Sequence, residues 1–366
     1  MTLRLTTAGE SHGPTLVGIL TGLPAGLTLD RGAIDADLRR RQEGYGRSPR
    51  QRLELDEITV LAGLRHGRTL GTPFAFVVQN RDHENWAWAM SPWPPEGESH
   101  GKGTQPVTLP RPGHADLAGA LKYGHSDVRN TLERASARQT AVTVGAGAVA
   151  KALLNEIGVA IESEVLELGG ARGDTEMRAA IDSARSDRDT LGGVVEMRAG
   201  DVPPGLGSYA TQRERLDARI AGGLMGIQAV KAVEIGDGLA LARSRGSDAH
   251  DEVFGDERGL YRETNRAGGI EGGVSNGEPI VARVAMKPLP TLMRPLRSVD
   301  LSTLEPGEAL VERSDVAAVE ALAVVAEAVL ALELARAALE KFGGDALDDF
   351  VAAHAAYLER IAWNPR

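Results

Sequence analysis

Leu3-Arg4-Leu5-Thr6-Thr7-Ala8-Gly9-Glu10-Ser11-His12-Gly13 begins with a short apolar alternation and runs straight into a glycine-flanked histidine. Alternation at period two is the mark of a half-buried strand. The Gly9–Gly13 run is then a strand-exit loop. In such a loop His12 has close backbone approach, the Ser11 hydroxyl beside it and a free imidazole, a setting that moves protons near neutral pH. A second histidine stands in a similar place, in Arg111-Pro112-Gly113-His114-Ala115-Asp116. One loop histidine is usually inert. Two of them, each beside glycine and one near arginine, point to chemistry. The string Gly-Glu-Ser-His-Gly recurs at 97–101, inside the Pro- and Gly-rich segment 91–108, which reads as an exposed loop. No strand precedes that copy, so His100 reads as a surface coincidence.

Outward from this stretch, strand-like patterns fall at 15–20, 58–64, 74–79, 159–168, 193–199, 231–235 and 279–286. Helical periodicity falls at 32–42, 135–157, 176–185, 212–229 and 316–342. The last is the clearest. Ser314 or Asp315 is a candidate cap at its start, and Gly343-Gly344 marks its end. Its apolar residues cover more than one face, which predicts burial or an oligomer interface. Thr15-Leu16 and Pro24-Ala25-Gly26-Leu27 are echoed by Thr190-Leu191 and Pro204-Gly205-Leu206, each followed by a strand-then-helix pattern, which hints at two related halves.

The 366 residues suffice for a large core, with 42% hydrophobic and 25% charged residues in ordinary globular proportion. Cysteine is absent, which removes disulfides, thiolate zinc sites and a cysteine nucleophile, and suits a cytoplasmic protein. No basic and apolar leader is visible. The most apolar stretch, 316–335, carries Glu320, Glu327 and Glu333, so no membrane span is expected. A net charge of −10 argues against nucleic-acid binding. The spacing of the remaining histidines predicts no metal site.

All but six of the 41 basic residues are arginine. Codon bias explains most of that excess, yet local clusters stand out. Arg39-Arg40-Arg41 ends a helical segment, where one or two cations are ordinary dipole partners. Arg47 in Gly44-Tyr45-Gly46-Arg47 is better read as an anion clamp. Glu133-Arg134-Ala135-Ser136-Ala137-Arg138-Gln139-Thr140 opens the next helix with small residues, a hydroxyl and arginines, the makings of a phosphate site. Asn265–Gly277 packs five glycines into 13 residues. An unligated loop of that kind is costly in entropy, so it reads as a cradle for a flat or phosphorylated ligand. Lys287-Pro288-Leu289-Pro290-Thr291 closes a strand with a cation and a hydroxyl.

Taken in order, seven segments resemble the chorismate synthase family over nearly the whole chain: Thr7–Gly13, Gly44–Arg47, Arg111–Asp116, Arg134–Arg138, Met225–Lys231, Val233–Gly238 and Asn265–Gly277. The resemblance implies an α+β fold, a β-α-β sandwich with two loosely similar halves, as one domain over 1–366 assembled into a homotetramer. It implies a carbon–oxygen lyase of the shikimate pathway. In that reaction 5-enolpyruvylshikimate-3-phosphate loses phosphate and a ring hydrogen in a 1,4-elimination, giving chorismate. Reduced FMN is required without net redox change, and a flavin reductase is a possible source of it. By the resemblance His12 assists phosphate departure, His114 lies near the flavin pyrimidine edge and Ser11 relays protons. Flavin contacts carry over to Arg134, Ala135, Ser136, Gln228, Ala229, Gly272, Lys287, Pro288, Leu289, Pro290, Thr291 and Arg313. Arg41, Arg47 and Arg138 carry over as substrate or NADP contacts, with substrate favoured.

Two places depart from the family pattern. Arg313-Ser314-Asp315-Val316-Ala317 stands where many members have Arg-His-Asp-Pro-Cys, and Lys287-Pro-Leu-Pro-Thr291 where many have Lys-Pro-Thr-Ser-Thr. Asp315 reads either as a helix N-cap or as a catalytic group at the flavin N5 position. Competing readings are a flavin-independent sugar-phosphate lyase or isomerase using the same arginines, and a noncatalytic assembly protein built on the last long helix. The second leaves both histidine loops unexplained.

Overall fold

A computed structural model describes residues 2–47, 55–257, 259–311 and 314–361. The apolar alternations form two four-stranded antiparallel sheets. In spatial order the first is Arg4–Ala8, Thr15–Thr21, Phe74–Gln79 and Ile58–Ala62. The second is Ala160–Leu168, Gly193–Gly200, Ile280–Met286 and Val230–Ile235. Numbered along the chain within each half, both sheets have the order 1-2-4-3. Each half places a helix after its second strand, Arg31–Gln42 or Leu216–Met225, and a central helix after its fourth, Thr140–Asn155 or Val319–Phe342. The short echoes at Thr15 and Thr190 therefore mark equivalent points of two similar halves.

The central helices lie between the sheets, which gives the β-α-β sandwich. Thr140–Asn155 packs on the first sheet, Val319–Phe342 on the second, and the two on each other. Small residues make this possible. A Cβ on Gly147 would come within 2.2 Å of Ala328 Cβ, and one on Gly145 within 3.0 Å of Phe76 Cε2. One contiguous apolar core runs through both halves.

The long helix Val319–Phe342 is buried on nearly every side, from Val319 to Leu339. Its apolar circumference is thus covered within the chain and gives no argument for a subunit interface. Buried Glu327 on this helix is met by Arg40 at 2.7 Å, by Lys151 at 2.6 Å and by the Ser163 hydroxyl. Among the described residues no helix is long and apolar enough to cross a membrane.

Most element boundaries agree with the periodicity, with three corrections. The expected helix 135–157 is broken: Arg129–Ala135 ends at Ser136, and Thr140–Asn155 begins after a short turn. Ser136 adopts φ −59°, ψ 140°, and its hydroxyl accepts the Arg138 N–H at 3.3 Å, so a local side-chain bond replaces helix continuation. Neither Ser314 nor Asp315 caps the long helix, whose N-cap is Ala318 with no side-chain bond. Gly268 and Gly269 of Asn265–Gly277 serve backbone packing, whereas Gly272 faces open space. A Cβ on Gly268 would meet Gly236 N at 2.4 Å, and one on Gly269 would meet Pro279 O at 2.6 Å. Close strand-to-loop contact orders the Gly268-Gly269 end of that segment by itself.

Candidate active site

Both histidine loops open onto one cavity of about 570 Å³, between the end of the first sheet, the Ser136 break and the start of the long helix. That size suits a small-molecule site. Its wall includes Ser11, His12, His114, Arg41, Arg47, Arg138 and Asp315. Ala135, Ser136, Gln228, Ala229, Lys287, Leu289, Pro290 and Thr291 also line it, while Ala318, Ala321, Leu322 and Val325 make an apolar face.

His12 does not hang free in its loop. It is 4% exposed, and Glu133, 1% exposed, holds it at three points. The Glu133 carboxylate lies 2.9 Å from Nδ1 through each oxygen and accepts the His12 backbone N–H at 2.9 Å. Trp86 stacks on the ring at 4.0 Å and 21°. Ser11 donates its backbone N–H to Glu133 O at 3.0 Å, and the Ser136 hydroxyl lies 3.2 Å from the Ser11 hydroxyl. The break at Ser136 therefore lets one segment clasp the His12 loop from below and still line the cavity.

His114 is positioned by Asp116, which bonds Nδ1 and also receives Arg111 Nε at 2.8 Å. Burial opposes the Asp116 charge, but the bonds from His114 and Arg111 overcome it and hold the carboxyl well below the usual carboxylate range. Arg111 reaches on to the Thr291 hydroxyl at 3.1 Å, and the Lys287 ammonium donates to Gly113 O. These bonds tie the Lys287–Thr291 loop to the His114 loop.

Arg41, Arg47 and Arg138 converge. Arg41 and Arg138 share the buried carboxylate of Asp56, at 3.1 and 2.6 Å. Arg47 pairs with Asp315 at 2.8 Å. Burial pulls the Arg41 pKa down to about 10 against the attraction of Asp56, with Arg138 and Arg47 adding repulsion. Burial and nearby Lys231 likewise lower Lys287. The Arg47 Nε atom is buried and has no hydrogen-bond partner. A cavity with clustered cations and an orphaned guanidinium N–H is built to take an anion.

Not every expected contact is here. Arg134 is not on this wall; it clamps the first strand, donating to Thr7 O at 3.0 Å and to Gly9 O at 3.1 Å, and lines an adjoining pocket that shares Thr140, Ile227, Gln228 and Val325 with the cavity. Gly272 lies in the turn between the short strands Ile270–Glu271 and Val274–Ser275, outside the cavity wall, and Pro288 is also off the wall. Arg313 falls outside the described residues. His100, in the duplicate string, is exposed.

The model of the chorismate synthase family matches residues 3–339. The chain is 54% identical to the chorismate synthase of Desulforudis audaxviator and 51% identical to that of Geobacter sulfurreducens, each over at least 98% of both chains. A crystal structure of chorismate synthase superposes with TM-score 0.78 at 37% identity, covering 99% of this chain and 98% of that one. The chain belongs to the chorismate synthase family. It is therefore an enzyme of the carbon–oxygen lyase class that acts on phosphates, with the α+β fold of that family. Within this family setting, several residues of the site went unselected by sequence reasoning. Glu133, Arg111, Asp116 and Lys231 stood inside quoted motifs, and a carboxylate next to a phosphate-type motif was the available signal. Asp56 and Trp86 gave none, since each acts through a partner far along the chain.

Proposed function

We propose that the chain converts 5-enolpyruvylshikimate-3-phosphate to chorismate by anti-1,4-elimination of phosphate, the last common step of the shikimate pathway, with reduced FMN as cofactor. The observation that carries this is the single cavity holding a carboxylate-backed histidine together with three arginines. A substrate with one phosphate and two carboxylates needs such cationic density, and a departing phosphate needs a proton donor.

In this reading Arg41, Arg47 and Arg138 bind the substrate anions, with NADP as the less favoured occupant. The Arg47 Nε–H, buried without a partner, would be satisfied by one of them. His12 protonates the phosphate as its C–O bond breaks, and Ser11 with Ser136 offers a hydroxyl path for the returning proton. Asp116 fixes the His114 ring, one of the groups that would hold the flavin. Asp315, which lines the cavity and is not a helix cap, is left for proton removal near the flavin. The residues fit a flavin: an apolar face from Ala318 to Val325 suits a ring system, and Gln228, Lys287 and Thr291 supply polar contacts around it. Ala135, Ser136, Ala229, Leu289 and Pro290 stand with them. Ala229 holds φ 68°, a left-handed backbone that turns the Gln228-Ala229 pair along the wall. Reduced FMN, when bound, lends electron density to the allylic system as phosphate leaves, with no net redox change.

We further propose one functional domain over 1–366, a cytoplasmic homotetramer, and a separate flavin reductase as the source of reduced FMN. The deciding assay is anaerobic chorismate formation with dithionite-reduced FMN. Product without flavin would instead favour the flavin-independent lyase, and no product would end the proposal.

A further inference from the structure

We infer that Glu133 is a positioning residue for catalysis: it sets the tautomer of His12 and balances the charge that His12 carries before it hands over its proton. This rests on the proposed role of His12 as donor to the departing phosphate. A carboxylate can only accept hydrogen bonds, so Nδ1 of His12, 2.9 Å from both Glu133 oxygens, must bear a proton. Proton exchange with the cavity then belongs to Nε2. Glu133 is 1% exposed, so its charge acts with little screening by water. The same carboxylate accepts the His12 backbone N–H at 2.9 Å and so fixes the loop as well as the ring.

The rest of the setting keeps this pair rigid. Trp86 braces the ring face at 4.0 Å, and its indole N–H is held by Asp82 at 3.0 Å. The His83 ring nitrogen Nδ1 donates to the His12 carbonyl at 2.9 Å. Arg129 lies 3.5 Å from Glu133 and 5.1 Å from the Trp86 ring, tying the carboxylate and the brace together. An acid, an imidazole and a reacting oxygen in series is the arrangement by which a buried carboxylate orients a histidine and stabilises its charged form.

Glu133→Gln separates this role from a purely structural one. The amide oxygen can still accept from the backbone N–H and from Nδ1, so the shape survives while the charge is lost. We expect kcat to fall about 10- to 100-fold with KM within about two-fold, in protein that still folds but melts lower, because buried Arg129 loses its counter-charge. A kcat within two-fold of the parent, or a loss carried by KM, would overturn the assignment. A second measurement needs no turnover. Nitrogen-15 NMR of histidine-labelled protein, with His12 assigned by His12→Gln, should show His12 protonated at Nδ1 at neutral pH. A bare Nδ1 would refute the inference even if chorismate were formed. Conversely, a protonated Nδ1 in a protein that makes no chorismate would remove the proposed reaction and leave the dyad standing.

Discussion

Replacing Asp56 by Asn tests the cationic wall most directly. The Asp56 carboxylate is completely buried and is shared by Arg41 at 3.1 Å and Arg138 at 2.6 Å, themselves nearly buried. Removing one partner of a buried ion pair costs about 3–5 kcal/mol, because the remaining charge is left uncompensated. Here Asn keeps a neutral acceptor. Arg41 also retains the Thr140 hydroxyl at 2.8 Å, and Arg138 retains Asn80 Oδ1 at 2.9 Å. The loss should therefore sit near the lower end, about 3 kcal/mol. Urea unfolding at matched protein concentration reads this as a lower midpoint at unchanged slope. The same surplus of positive charge should raise anion affinity. Inorganic phosphate at about 100 times its Kd would restore about 2.7 kcal/mol to the variant. An unfolding free energy within about 1 kcal/mol of the parent, below the range for a broken buried pair, together with no phosphate response, would show that Asp56 does not hold the arginines in place.

His12→Ala should lower turnover by about 10²–10⁴-fold, but it should also destabilise the fold, since it leaves Glu133 buried without its main partner; His100→Ala, at an exposed position, should change neither turnover nor melting temperature. Gly147→Val should prevent the central helices from meeting and abolish soluble folded protein, whereas Gly145→Ala, facing a ring edge at 3.0 Å, should only lower the melting temperature. Asp116 has a depressed pKa in the folded chain, so its contribution is complete above the ordinary carboxylate range and fades as pH falls through its folded value. The stability gap between the parent and Asp116→Asn should therefore be widest near pH 7 and narrow below about pH 4; a gap that widens on acidification would contradict the sign.

The amino-acid sequence by itself determined what depends on neighbours along the chain. Period-two and period-3.6 patterns placed nearly all strands and helices of the two sheets and the central layer, because backbone geometry sets those periods locally. Glycine-flanked histidines and clustered arginines marked the segments that meet in the cavity. The short echo between Thr15 and Thr190 was a true trace of repetition, although only the shared strand order of the two sheets made it readable. What the tertiary structure alone decided is which charge meets which. His12 and Glu133 are 121 positions apart, Arg40 and Glu327 are 287 apart, and no local pattern couples them. It also decided that Gly268 and Gly269 pack closely against neighbouring backbone, that Arg134 grips the first strand, and that Asp315 faces Arg47 instead of capping a helix. Each of these is settled by burial. A buried polar group must find a partner wherever the fold brings one near, and the fold, not the spacing along the chain, sets that distance.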